Sequence, residues 1–386
     1  MSETYRKTVG FVIMLFVVGA IVVLEMRKPD RIKPTEGILQ DINIELNTMP
    51  KKEKAKIYES AKEISSPDGF INTDFDGDGV QDGINIADLI GNKVILIDFW
   101  TYSCINCQRT LPYLVSWHKK YADEGLVIIG LHTPEFEFEK DYANVSRAVE
   151  KWGVTYPVVL DNDYSTWNAY RNRYWPRKYL IDADGFIVYD HIGEGGYAET
   201  EARIVSALNE LKARVGEDVI SKKEGLPENV DIVKAGGVKT LEIYLGSSRI
   251  QYLSNLPQQS CLSSACEFNH DSSLTLRLNT YSLRGTWNTK PEKTSLESIG
   301  GSIFIQFSAS KVNLVAGAKD ASRAEIYIDG KLVDSMSAGS DVKDGTVLFE
   351  GHDLYNLIDL KGQYGEHLLE IRFLEGGVSA FAFTFG

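Results

Sequence analysis

The chain has 386 residues, 43% of them hydrophobic, which gives room for two or three domains with ordinary cores. Its 54 acidic residues outnumber the 41 basic ones for a net charge of −13, a balance that argues against nucleic-acid binding. Four cysteines are too few to staple so long a chain; two closely spaced pairs fit one catalytic pair and one bridge in an oxidising compartment.

Residues 9–24 (VGFVIMLFVVGAIVVL) carry no charge and follow Arg6-Lys7, so they read as an uncleaved, single-pass transmembrane signal anchor after a short tail at 1–8. A cleaved signal peptide is the competing reading, but its small-residue site, Val18-Gly19-Ala20, lies inside the apolar run and no lipobox cysteine follows. The cysteine usage places the C-terminal bulk outside the cytoplasm at the cell membrane. Residues 25–64 then form a polar stalk and a helix, the helix predicted over residues 51–64 from Ile57, Ala61 and Ile64 at helical spacing.

In the Asp-rich stretch 74–85 (DFDGDGVQDGIN), Asp74, Asp76, Asp78 and Asp82 stand around a glycine turn, which is how a calcium loop gathers oxygen ligands. Asn85 replaces the bidentate glutamate of an EF-hand, so the loop resembles the calcium loops of secreted repeats; a solvated acidic turn is the alternative. No other cofactor is called for.

Residues 94–113 (VILIDFWTYSCINCQRTLPY) organise the chain. A β-branched apolar run leads through Asp98 to Cys104-Ile105-Asn106-Cys107 and then to helix-forming sequence, a buried strand delivering a Cys-x-x-Cys pair to a helix N-terminus. Unpaired N–H groups and the positive dipole end stabilise a thiolate there, so Cys104 is the expected nucleophile and Cys107 the resolving thiol. A zinc site needs a second ligand pair at matching spacing, and Cys261 and Cys266 do not supply one. Asp98, in an apolar strand, is expected to be buried with a raised pKa and to take the proton from Cys107.

The string FWTYSCINCQRTLPYL, with GLHTPEFEFEKDYANV downstream, resembles the thioredoxin-like part of DipZ-type proteins, relatives of the TlpA-like membrane-tethered redoxins. The resemblance runs from about Ser65 to the C-terminus. It implies a thioredoxin-like α/β domain over residues 65–216, a mixed sheet with helices on both faces, and a thiol:disulfide oxidoreductase acting on protein thiols or disulfides, in cytochrome c or disulfide maturation. It also implies that Pro176 is the cis-proline facing the cysteines, that Glu135 is a second active-site acid, and that Trp100 and Trp175 contact substrate. Relatives of this type often carry a multi-helix electron-importing domain; without one here, a membrane electron donor or acceptor is expected to act in trans.

Between these landmarks the βα alternation continues: strands at 126–131 and 157–160, helices at 140–152 and 164–172, a hairpin of 178–181 with 186–191, and a closing helix over 200–215 capped by Thr200. Residues 217–238 read as a linker. Residues 239–386 give short alternating runs at 241–245, 273–278, 302–307, 311–316, 325–328, 346–350, 367–373 and 380–385, with a hairpin signal at Asp329-Gly330, and predict an all-β, jelly-roll-like sandwich. By resemblance this is a carbohydrate-binding-module-like domain, on which Tyr244, Tyr252, Tyr281 and Trp287 are either glycan platforms or core aromatics. Cys261 and Cys266 fit a structural disulfide, with a second electron relay as the alternative. Two rival functions stand beside the redox reading. A peroxiredoxin-like peroxidase needs a Pro-x-x-x-Thr-x-x-Cys motif where this chain has Trp-Thr-Tyr-Ser-Cys; the other rival is a surface glycan- or protein-binding module.

Overall fold

The structure, a computed structural model, describes residues 49–225, 227, 237–273 and 275–386. The anchor at 9–24 and nearly all of the stalk lie outside them; among the described residues no helix is long and apolar enough to cross a membrane.

The N-terminal α/β part contains, in chain order, α1 (Lys51–Lys54), β1 (Gly69–Ile71), α2 (Ile86–Leu89), β2 (Val94–Trp100), α3 (Ile105–Tyr121), β3 (Leu126–His132), α4 (Tyr142–Lys151), β4 (Val158–Leu160), α5 (Ser165–Ala169), β5 (Arg177–Ile181), β6 (Ile187–Ile192) and α6 (Tyr197–Val215). The sheet order is β1-β4-β3-β2-β5-β6. Strands β2, β3 and β4 are parallel, and β1, β5 and β6 join antiparallel, the mixed sheet expected from the sequence. Every residue of β2 is buried, and its alternation splits the core in two. Val94, Leu96 and Trp100 face Leu111, Leu114 and Trp117 of α3, while Ile95, Ile97 and Phe99 face Trp167, Tyr170 and Tyr179.

The predicted 51–64 helix stops at Lys54. The Lys54 ammonium is buried among Asp182 (2.7 Å), Asp184 (3.0 Å) and Glu210, and the chain turns through residues 55–58 and then runs beside the sheet edge. There Ser60 bridges Phe186, and Ala61 N–H donates to the Gly185 carbonyl at 2.9 Å, so tertiary pairing overrides helix propensity. Helix α6 begins earlier than predicted, with Gly196 as N-cap at φ 60°; Thr200 sits inside its first turn and donates through Oγ1 to the Gly196 carbonyl at 3.0 Å.

The C-terminal part is all-β: β7 (Ile243–Tyr244), β8 (Ala265–Phe268), β9 (Tyr281–Thr289), β10 (Thr294–Leu296), β11 (Ser302–Ala309), β12 (Lys311–Ile328), β13 (Lys331–Leu332), β14 (Val342–Lys343), β15 (Thr346–Asp359), β16 (Gly365–Phe373) and β17 (Val378–Phe385). The runs at 311–316 and 325–328 are one long strand, and residues 275–278 are not strand. The first half of β12 pairs with β17 and its second half with β16, so the circuit β12-β16-β11-β9-β10-β17 closes on itself. The result is a closed, barrel-like sheet rather than a jelly-roll sandwich. Trp287 and Tyr281 are fully buried in its core, which removes them as glycan platforms. Cys261 and Cys266 form a disulfide with a Cα–Cα distance of 5.5 Å.

Candidate active site

Strand β2 ends at Trp100, and the chain turns through Thr101-Tyr102-Ser103 to Cys104, which is the N-cap of α3. Cys104 is half-buried, Cys107 one turn later is buried, and both are free thiols. A half-buried first thiol and a buried second one suit a nucleophile followed by a resolving thiol. Burial, the neighbouring Cys104 sulfur and the Asp98 charge push the Cys107 thiol well above its usual range, so it needs a base to react.

Asp98 lies on the α3 side of β2, and its carboxyl pKa is pushed up to about 7 by burial, partly opposed by the charge of Lys178. The β2–β5 register places Lys178 directly across from Asp98. Lys178 is itself fully buried, donates to the Gly193 carbonyl at 3.2 Å, and has its pKa lowered by burial despite the attraction of Asp98 and Cys107. Both partners move toward neutrality, so desolvation outweighs their mutual attraction. Asp98 Oδ1, Trp100 Nε1 and Tyr156 Oη are buried without a hydrogen-bond partner in this region. Gly130, paired with Asp98 on the parallel side, makes room for them: a Cβ there would stand 2.9 Å from Trp100 Nε1 and 3.3 Å from the Tyr156 ring.

Trp175-Pro176 is cis, as expected, and Trp175 Nε1 donates to the Thr133 carbonyl at 2.9 Å. Trp175 is half-buried and packs on Trp167 at 4.3 Å. Trp100 is 0% exposed and packs edge-on against His132 at 5.1 Å; at the end of β2 it points to the core face, and its full burial keeps it from substrate contact. His132 is buried, receives the Tyr102 N–H on Nε2 at 3.3 Å, and has its pKa pushed down to about 3 by burial, so it is a neutral acceptor holding the active-site turn.

Glu135 does not act as a free acid beside the thiols. Its carboxylate is taken up by the C-terminal part: Arg249 Nη1 stands 2.6 Å and Tyr244 Oη 2.8 Å from Oε1, and Tyr244 Oη also lies 2.7 Å from Glu242. The acid next to the cysteine turn is Glu139, which sequence reading missed. Its Oε1 accepts from Ser103 Oγ at 2.6 Å and Ser103 N–H at 3.3 Å, and its Oε2 accepts from the N–H groups of Glu135 (2.6 Å) and Phe136 (2.9 Å). Burial pushes its pKa up to about 7. The run Glu135–Phe136–Glu137–Phe138–Glu139 offers three acids in alternation and no periodic signal that singles out the buried one.

The β domain packs directly on this site. Ile105, between the cysteines, is buried with Phe136, Val315, Leu354, Phe381 and Ala382. Tyr102 Oη donates to the His352 carbonyl at 3.2 Å, and Phe138 stacks on His352 at 4.8 Å. The Asp-rich loop is elsewhere. Carboxylate oxygens of Asp74, Asp76 and Asp78 lie within 4.8 Å of one another, while Asp82 turns away to accept the Phe75 N–H at 3.1 Å.

The sequence matches the AhpC/TSA family over residues 61–190 and the thioredoxin-like C-terminal domain family over residues 240–386. Protein DipZ of Mycobacterium bovis is 33% identical over 306 residues, covering 78% of this chain and 40% of its own length, so the chain spans about two fifths of that relative. Thiol-disulfide oxidoreductase YkuV of Bacillus subtilis is 30% identical over 32% of this chain and 83% of its own. Thiol-disulfide oxidoreductase ResA of Bacillus thuringiensis is 30% identical over 37% of this chain and 73% of its own. With a cysteine pair at the head of α3, Asp98 beneath it and relatives matched over most of their length, the chain belongs to the thioredoxin-like thiol-disulfide oxidoreductases.

Proposed function

We propose that Cys104 and Cys107 are the redox pair of this oxidoreductase and that it works outside the cytoplasm, tethered by residues 9–24. The observation that carries this reading is the pair itself: two free thiols at one helix head, the first half-exposed and the second buried above a carboxyl. In the reductive direction the Cys104 thiolate attacks a sulfur of the client disulfide; that S–S bond breaks, one client thiolate leaves, and a mixed disulfide remains. Cys107 gives its proton to Asp98 and attacks the Cys104 sulfur; the second client thiolate leaves, and the Cys104–Cys107 disulfide carries the two oxidising equivalents. An external dithiol, for which a membrane donor acting in trans is the natural source, restores the pair. The reverse sequence oxidises a client dithiol. Clients are protein thiols and disulfides, in the setting of cytochrome c or secreted-protein maturation. A Cys107→Ser variant should accumulate mixed disulfides with clients and Cys104→Ser should form none; equal trapping by both would refute the assignment.

The AhpC/TSA match raises peroxide reduction as a second reading. Thr101 stands three residues before Cys104 as the Pro-x-x-x-Thr-x-x-Cys motif requires, but Ile97 stands where its proline would, so hydrogen peroxide consumption should not exceed that of an ordinary dithiol. The Asp-rich loop is assigned a structural role, with calcium the ion that Asp74, Asp76 and Asp78 would hold; a calcium-dependent rise in Tm tests it.

A further inference from the structure

We propose that Glu139 is a positioning residue for the Cys104 thiol and that the C-terminal β domain sets it through Glu135. The inference rests on Cys104/Cys107 being the redox pair. Glu139 is 0% exposed, and its two oxygens face two different loops. Oε1 holds Ser103, the residue immediately before Cys104, through both side chain and backbone. Oε2 holds the backbone N–H groups of Glu135 and Phe136. Four donors converge on one carboxylate, so the cysteine turn and the 135–136 loop cannot move independently without leaving a buried acceptor or donor unpaired.

The second loop is in turn fixed by the β domain. Arg249 and Tyr244 take the Glu135 carboxylate, Arg249 lies 3.6 Å over the Tyr244 ring, and Phe136 packs on Phe381 at 5.2 Å. A continuous path therefore runs from Arg249 through Glu135 and Glu139 to Ser103 and Cys104. It carries two effects, the geometry of the turn and the negative charge held on Ser103, the residue before Cys104.

The test uses the purified full chain equilibrated with glutathione, where protein dithiol plus glutathione disulfide gives protein disulfide plus two glutathione thiols. The Cys104/Cys107 peptide is quantified by mass after alkylation, which keeps the Cys261/Cys266 bridge out of the readout. A reversible couple in the parent chain supports the redox assignment on its own; no couple refutes that assignment, and the present proposal with it. Given a couple, E139Q compared with the parent at pH 8, where Glu139 is ionised, removes the charge held on Ser103 and should shift the equilibrium at least about threefold toward the dithiol. R249M leaves Glu135 uncompensated and should shift it toward the disulfide, and the double variant should depart from the product of the two single effects. E139Q and R249M both folded and both within twofold of the parent would overturn the proposal. Movement of E139Q alone would overturn the part assigned to the β domain. Should E139Q fail to fold, R249M, at a side chain 39% exposed, decides the matter alone.

Discussion

Replacing Asp98 by Asn tests whether the carboxyl under the cysteine pair is the proton acceptor and what its burial costs. In the unfolded chain the group titrates near 3.8; in the fold, burial pushes it up to about 7. Between those values the native state binds the proton and the unfolded state does not, so stability falls with rising pH. The contribution is fully present below about pH 3.8 and is lost as pH climbs through about 7. At about 1.4 kcal/mol per pH unit the whole span is ~4 kcal/mol. The apparent midpoint belongs to Asp98, Lys178 and Cys107 together. The amide introduced by Asp98→Asn carries no such proton, so the unfolding free energy of that variant, relative to the parent, should rise by up to ~4 kcal/mol from pH 4 to pH 8. Urea titrations of the reduced proteins at a series of pH values measure it.

The same substitution should slow the second thiol step and spare the first. With a chromogenic aromatic disulfide, one thiolate is released when Cys104 attacks and the other when Cys107 resolves. Loss of a positioned base costs on the order of 10²-fold, so the second phase should slow by about that factor and lose its rise toward pH 7. A second phase within threefold of the parent, with the parent's pH profile, would refute the base role. A stability difference that is flat with pH would refute the buried-acid reading itself.

Lys178→Met removes the charge that opposes the upward shift of Asp98, so the pH midpoint of the second phase should move up while the first phase is unchanged; an unmoved midpoint would separate Lys178 from the chemistry. His132 shows the opposite slope. Its folded pKa of about 3 lies below the ordinary 6.5, so the stability it protects is complete above pH 6.5 and falls by up to ~5 kcal/mol as pH drops to 3. In His132→Gln, urea midpoints across that window should lose this acid-side decline. Gly130→Ala drives a Cβ to 2.9 Å from the Trp100 indole nitrogen in a closely packed layer and should cost ~1–3 kcal/mol, read as a lowered Tm; an unchanged Tm would mean that the indole has room to shift.

What the sequence revealed and what it concealed divide along physical lines. The redox segment was legible because its signals are local: a β-branched run, a cysteine pair at one-turn spacing and a helix behind it occupy one continuous stretch, and Asp98 fell on the α3 side by simple alternation. The 51–64 helix failed because its propensity was outvoted by Lys54 reaching Asp182, 128 residues away. The β domain was legible as all-β but not as closed, since nothing in the alternation of β12 says that its two halves pair with different strands. Trp100 was misjudged for a related reason: its position near the cysteines is clear from sequence, but its direction is set by the pleat, which turns it into the core.

The β domain's place in the protein follows from where its aromatics and charges point. Tyr281 and Trp287 are held in its own core, and Tyr244 lies under Arg249 beside Glu135 of the α/β part. His352 and Phe381 receive Phe138, and Ile105, locked between the two cysteines, is covered by Val315 and Leu354. A domain that served only to hold glycan would have no reason to bury the residue between the two free thiols. By covering Ile105 while leaving Cys104 half-exposed, it makes one side of the helix head a fixed wall. On the proposed reading, a client disulfide approaches Cys104 from the side of the thiol that this wall leaves open, a second way for the β domain to bear on the chemistry beside the proposed link through Glu135.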